Sequence, residues 1–192
     1  MNTIQEERVR GYFINAAQEL IRGEGVDVVS ARNVAERAGY SYATLYNYFK
    51  DIRDLIFSCI EGFLIECREF VESGTAGIKS GEERLMAILE QYVKFFIQYP
   101  GIFDLLYQQK AGSISTKKSN FGKIYQFFDS LTDREWNECV GKNLITQDER
   151  TVKQEQLKLL VHGLLLFYLN NRIECTYKEI IDRIRKLNPI CC

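Results

Sequence analysis

Residues 41 to 50 bring together Ser41, Tyr42, Ala43, Thr44, Tyr46, Asn47, Tyr48 and Lys50, with no carboxylate, imidazole or thiol among them. Hydroxyls and amides hydrogen-bond phosphate oxygens and base edges, Asn can pair bidentately with adenine, and Lys meets phosphate as a point charge. Arg32, a little upstream, extends the same chemistry. Such a set recognises a polar polyanion and breaks no bonds.

The elements that must hold these groups are legible around them. Ser30 is placed to cap a short helix whose Val34, Ala35 and Ala38 share one face, and Gly39 ends it where a left-handed backbone costs least. Ser41 then opens a second helix with Leu45 and Phe49 inward, leaving the polar and aromatic residues between them outside or flanking the core. Two short helices around a glycine turn make a helix-turn-helix, a frame that sets a recognition helix into the DNA major groove.

Residues 25 to 55 resemble the operator-binding domain of the TetR/AcrR bacterial repressors, through Val34, Ala35, Ala38, Gly39, Ser41, Thr44, Leu45, Tyr46 and Phe49, with Ala16, Ala17 and Leu20 upstream placed as in the first helix of that family. The resemblance implies an all-α protein: an N-terminal three-helix helix-turn-helix domain over residues 1–50, then a helical ligand-binding and dimerisation domain over residues 51–192. It implies a repressor that binds a palindromic double-stranded operator as a homodimer, with Arg32, Ser41, Tyr42, Ala43, Thr44, Tyr46, Asn47, Tyr48 and Lys50 at the DNA. Three residues depart from the pattern. Tyr40 stands where a small aliphatic is usual, Ala43 where glycine is frequent, and Ile52 where a lysine commonly touches phosphate; Lys50 and Arg53 are the candidates to replace that contact.

Charge limits the affinity of one subunit. Residues 1 to 57 carry seven basic and eight acidic groups, a net of minus one, although Arg32, Arg37, Lys50 and Arg53 outnumber Glu36 and Asp51 locally. Counterion release per subunit is therefore modest, which favours two subunits on one site.

At 192 residues, with 46% hydrophobic and 27% charged residues, the chain has the composition of a globular protein with a sizeable core. The first residues lack a basic segment followed by an apolar run, and no stretch approaches a membrane span, so a cytoplasmic protein with no membrane partner is expected. Cys59, Cys67, Cys139, Cys175, Cys191 and Cys192 show no paired framework, and with one histidine in the chain neither a metal site nor another cofactor is expected. No nucleophile with a base and no glycine-rich phosphate loop can be assembled, so the chain does not read as an enzyme.

Beyond residue 50 the pattern is helical throughout. Asp51 is placed to cap a long helix ending near Ser73 and Gly74, and Ser80 with Glu83 reads as a capping box for a helix stopped by Pro100. A shorter helix follows to about Lys110, then a polar loop over residues 113 to 120, then a helix through Tyr125 and Phe128 with a break expected at Thr132. Thr146 with Glu149 and Thr176 with Glu179 are further capping boxes, and Asn188 and Pro189 form the last stop.

Residues 157 to 169 are apolar on nearly every side apart from Lys158, His162 and Gly163, so that helix must be covered on both faces, one by its own domain and the other, as the resemblance implies, by a copy of itself; the alternative is a central core helix of a monomer. Leu165 and Leu169 are expected in that contact, with Gly163 permitting close approach. The C-terminal part is also rich in aromatic rings. Tyr92, Phe96, Tyr99, Phe103, Tyr125 and His162 are the candidate lining of a site for a small apolar or aromatic effector. The alternative is a DNA-binding regulator without a small-molecule ligand, controlled by a partner protein or by cysteine oxidation.

Overall fold

A computed structural model describes residues 3–110 and 121–187; among these every regular element is a helix and none is a strand. In chain order they are α1 (Thr3–Glu24), a 3-10 turn (Val26–Val28), α2 (Ala31–Ala38), α3 (Tyr42–Leu45), α4 (Ile52–Gly74), α5 (Glu82–Gln98), α6 (Pro100–Phe103), a π-helical turn (Asp104–Gln108), α7 (Phe121–Gly141), α8 (Gln147–Leu169) and α9 (Tyr177–Arg185). They form two compact units, one of Met1–Ile65 with Tyr99–Gly122, the other of Glu66–Gln98 with Lys123–Cys192, and α4 contributes to both.

In the first unit α1 packs against α2 and α6, and α2 against α3. Phe13, Ala16, Ala17, Leu20 and Ile21 form the buried stripe of α1, recurring three and four apart, against Val34, Ala35, Leu45 and Phe49. Fully burying a ring such as Phe13 or Phe49 contributes about 1.5–3 kcal/mol. α6 approaches α1 so closely that a Cβ on Gly101 would overlap the carbonyl oxygen of Ile21. Tyr99 precedes Pro100, and the Phe103 ring meets Tyr107 at a tilt of 45° with centroids 5.2 Å apart, both in this unit.

In the second unit α5 packs on α8 and α9. Both expected capping boxes at the starts of α8 and α9 are complete: Thr146 and Thr176 accept from the backbone N–H of Glu149 and Glu179, whose carboxylates accept from the threonine N–H at 2.7 Å. α4 begins as expected, with Asp51 accepting from the Asp54 N–H at 2.9 Å.

Three expectations change. Ser80 does not box with Glu83: its hydroxyl donates at 2.8 Å to Glu135 of α7, which also accepts from the Gly81 N–H at 2.7 Å and faces Arg84. A buried carboxylate from α7 thus caps α5. α7 does not break at Thr132, because the buried Thr132 hydroxyl bonds back to the carbonyls of Phe128 and Asp129 inside a continuous helix. Leu165 lies wholly inside its own protomer, 0% exposed. The outward apolar residues of α8 are Val152, Leu159, Leu160, Leu166 and Phe167, and the Gly163 Cα faces open space. Lys158, the one charged residue within the apolar run, is buried between Asp129 at 2.9 Å and Glu155 at 2.7 Å. The expectations for residues 113 to 120, Asn188, Pro189, Cys191 and Cys192 fall outside the described residues.

Candidate nucleic-acid interface

Local chemistry builds the reader. Ser30 accepts from the Asn33 N–H at 3.2 Å to cap α2, and Gly39, at φ 76°, ends it with its N–H on the carbonyls of Ala35 and Glu36. Tyr40 donates its N–H to the Ala35 carbonyl at 2.9 Å, completing the turn. Ser41 caps α3, accepting from the Thr44 N–H at 3.1 Å, and the Ser41 and Thr44 hydroxyls share a 2.8 Å bond.

α3 is regular only as far as Leu45. Asn47 and Tyr48 then donate their N–H groups three residues back, to Thr44 and Leu45, which tightens the last turn. Tyr46, Asn47, Tyr48 and Phe49 are weak helix formers, which explains the tightening. Leu45 and Phe49 are buried beneath this segment, and Phe13 of α1 anchors it with ring centroids 6.4 Å from Phe49 and 6.1 Å from Tyr48. The Arg10 guanidinium covers the other side of Phe49 at 4.8 Å.

On the outside, Tyr42, Ala43, Tyr46, Asn47 and Lys50 are exposed and Tyr48 is half-buried. Among the described residues, the hydroxyls of Tyr42, Tyr46 and Tyr48, the Asn47 amide, the Lys50 ammonium and the Arg32 guanidinium make no bond within the chain. Ser41 and Thr44 are committed to the cap. Arg53 is paired with Asp51 at 3.1 Å, and the Asp51 carboxyl is held below its usual value first by the Asp54 N–H and then by Arg53. Of the two residues that could replace the absent lysine at Ile52, Lys50 therefore has the uncommitted charge.

The proposed effector residues are distributed over both units. Tyr92, Phe96 and His162 come together with Phe128 in the second: the Tyr92 ring lies 4.8 Å from Phe96 and 5.1 Å from Phe128, and its hydroxyl is 2.9 Å from His162 Nε2. Tyr125, in the same unit, is exposed and its hydroxyl donates to Glu155, while Lys158 sits over its ring at 3.9 Å. Tyr99 and Phe103 belong to the first unit, where Arg22 stands 5.8 Å from the Tyr99 ring.

Two capped helices around a left-handed glycine, with an uncommitted polar face, define a DNA-binding helix-turn-helix domain. Residues 13–59 match bacterial regulatory proteins of the tetR family, so this segment is similar to the DNA-binding domain of those transcriptional regulators. A relative, an uncharacterized HTH-type transcriptional regulator of Haemophilus influenzae, is 21% identical over 135 residues, spanning 69% of this chain and 66% of the relative's own length. The fold is similar to that of the fatty acid degradation regulator FadR from Bacillus halodurans, with a TM-score of 0.73 and 14% identity over 94% of both chains. It is also similar to FadR from Bacillus subtilis in complex with stearoyl-CoA, with a TM-score of 0.68 and 15% identity over 91% of this chain and 92% of that one. No helix among the described residues is long and apolar enough to cross a membrane.

Proposed function

We propose that this chain is a ligand-responsive repressor that occupies a palindromic operator as a homodimer and leaves it when a small apolar or aromatic effector binds among the C-terminal helices. The observation that carries the reading is the uncommitted set on the outer face of the reader: Tyr42, Tyr46, Asn47, Tyr48, Lys50 and Arg32 hold polar groups that the protein itself does not use. Self-association is supported by the outward stripe of α8, where Val152, Leu159 and Leu166 recur every seven residues beside the open Gly163. A protein whose reader spans one half-site gains its affinity by meeting two. DNA binding sets its place of work in the cytoplasm.

The effector part rests on composition. Tyr92, Phe96, Phe128 and His162 form a largely apolar aromatic cluster that holds one hydroxyl and one imidazole, the makeup of a site for an apolar ligand with a few orienting groups. The stearoyl chain of the stearoyl-CoA in complex with the Bacillus subtilis regulator is an apolar group of that kind. Entry there requires parting the Tyr92–His162 bond, and α4, shared by both units, supplies the covalent route to the reader. Coupling needs only unequal affinity for two arrangements, about 1.4 kcal/mol for each tenfold difference.

Burial argues against redox control through three of the thiols. Burial pushes the Cys59 thiol up to about 12 and raises Cys67 and Cys139 as well, so none of the three is a ready thiolate. The test is a titration of the protein onto a duplex it has selected, with and without saturating long-chain acyl-CoA and a panel of aromatic acids. A ligand that raises the melting temperature and weakens DNA binding supports the proposal. Ligands that stabilise the protein and leave DNA affinity unchanged contradict it.

A further inference from the structure

We propose that the DNA-contacting surface extends onto the first helix through Tyr12 and Tyr40, whose phenol hydroxyls hydrogen-bond the sugar-phosphate backbone beside the recognition segment. This rests on the reading of α3 as the DNA-facing element.

Tyr40 stands immediately before the Ser41 cap, where the tetR-like pattern has a small aliphatic. Its backbone is held by the bond to the Ala35 carbonyl at 2.9 Å, directly after the left-handed Gly39. Its ring rests on Phe13 at 5.4 Å and lies nearly parallel to Tyr12, 24° between planes with centroids 6.3 Å apart. Phe13 in turn meets Tyr48 and Phe49. One buried ring, Phe13, thus holds both Tyr40, just before the recognition segment, and Tyr48, near its end.

Packing explains the rings and leaves the hydroxyls over. Tyr12 is 52% and Tyr40 37% exposed, and neither hydroxyl makes a bond among the described residues. Phenylalanine would stack on Phe13 equally well. A tyrosine with an apolar body against protein and a polar end in water suits a boundary between protein and a polar partner. Tyr40 precedes by two residues Tyr42, the exposed first residue of α3, and under the proposal the two address the same duplex. The bond is neutral: it adds affinity on every sequence and releases no counterion, unlike a lysine contact.

The experiment measures full-length protein by fluorescence anisotropy on two probes, a duplex selected by the wild type from a randomised pool and a random duplex of equal length. Tyr12→Phe, Tyr40→Phe and the double variant keep the rings, so their melting temperatures should equal the wild type's. Each hydroxyl removed should weaken both duplexes by about three- to tenfold, the size of one neutral hydrogen bond, with the slope of log affinity against log salt unchanged. Unchanged affinity in the double variant overturns the proposal, as does a loss confined to the selected duplex or one accompanied by a lower melting temperature. Tyr42→Ala and Asn47→Ala run alongside: if they weaken binding and the Phe variants do not, this proposal fails alone; if they too are silent, the DNA-facing reading of α3 fails with it.

Discussion

Tyr92 and His162 form a hydrogen bond whose direction is set from the other side of the imidazole. His162 Nδ1 lies 2.7 Å from the Lys158 carbonyl, which can only accept, so the proton is on Nδ1 and Nε2 accepts from the Tyr92 hydroxyl at 2.9 Å. The neutral ring is thereby committed at both nitrogens. Burial holds its basicity below the usual 6.5, the nearby Lys158 ammonium lowers it further, and the bond to the Lys158 carbonyl and the charge of Asp129 oppose this.

Stability should therefore depend on pH in a defined window. A group with a lowered folded pKa takes up protons in the unfolded chain first, so stability is fully present above about pH 6.5 and falls as pH drops below it. The carboxylates of Glu90, Glu149 and Glu179 are lowered from 4.5 by Arg185 and by the threonine N–H groups, so their share is lost only in more acid solution. Urea unfolding between pH 7 and 5 should show the loss, and His162→Gln should remove most of it. An identical slope in the variant would assign the effect elsewhere.

Gly101 and Gly39 are needed for different reasons. Gly101→Ala drives a methyl into the backbone oxygen of Ile21, which cannot swing away, and should cost about 1–3 kcal/mol. Gly39→Ala meets open space and pays only for its φ of 76°, about 1 kcal/mol. Chemical denaturation should rank Gly101→Ala as the more damaging; the reverse order would count against the close passage of α6 over α1.

The outcome at Leu165 shows where sequence reading stops. An apolar run from 157 to 169 announces a helix covered on two sides, but assigning a face requires knowing which partner lies where, and Lys158 proved to be inward because Asp129 and Glu155 neutralise it. The cap of α5 failed similarly: Glu83 is three residues from Ser80, whereas Glu135, which does the work, is 55 residues away. Local grammar carried the rest. Ser30, Gly39, Ser41, Thr146 and Thr176 act on neighbours within a turn, so the caps and the glycine turn of the helix-turn-helix and the starts of α8 and α9 were legible, whereas the end of α3 at Leu45 was not.

On that corrected face, Leu159→Glu and Leu166→Glu should yield folded monomers, since both side chains are exposed in the protomer. Leu165→Glu should instead unfold the second unit, because a buried unpaired carboxylate costs several kcal/mol. Sedimentation velocity with circular dichroism separates the two outcomes, and a folded dimer in all three variants would remove α8 from the interface.

Lys50 and Arg53 should differ in their response to salt. Lys50→Ala should weaken selected and random duplexes alike and lower the salt slope by about one, whereas Arg53→Ala, whose guanidinium is engaged with Asp51, should change it less. Equal slopes for both variants would show that the Arg53–Asp51 pair opens on DNA.

The central claim, sequence-specific binding of a palindrome by two protomers, is tested most directly by selecting duplexes from a randomised pool with the wild type and with Asn47→Ala, and weighing the resulting complexes by native mass spectrometry. The account predicts an enriched inverted repeat carrying two protomers, with Asn47→Ala losing about 1–3 kcal/mol of discrimination at one symmetric base pair in each half. A pool that shows no enrichment, or a complex with one protomer per duplex, would contradict it.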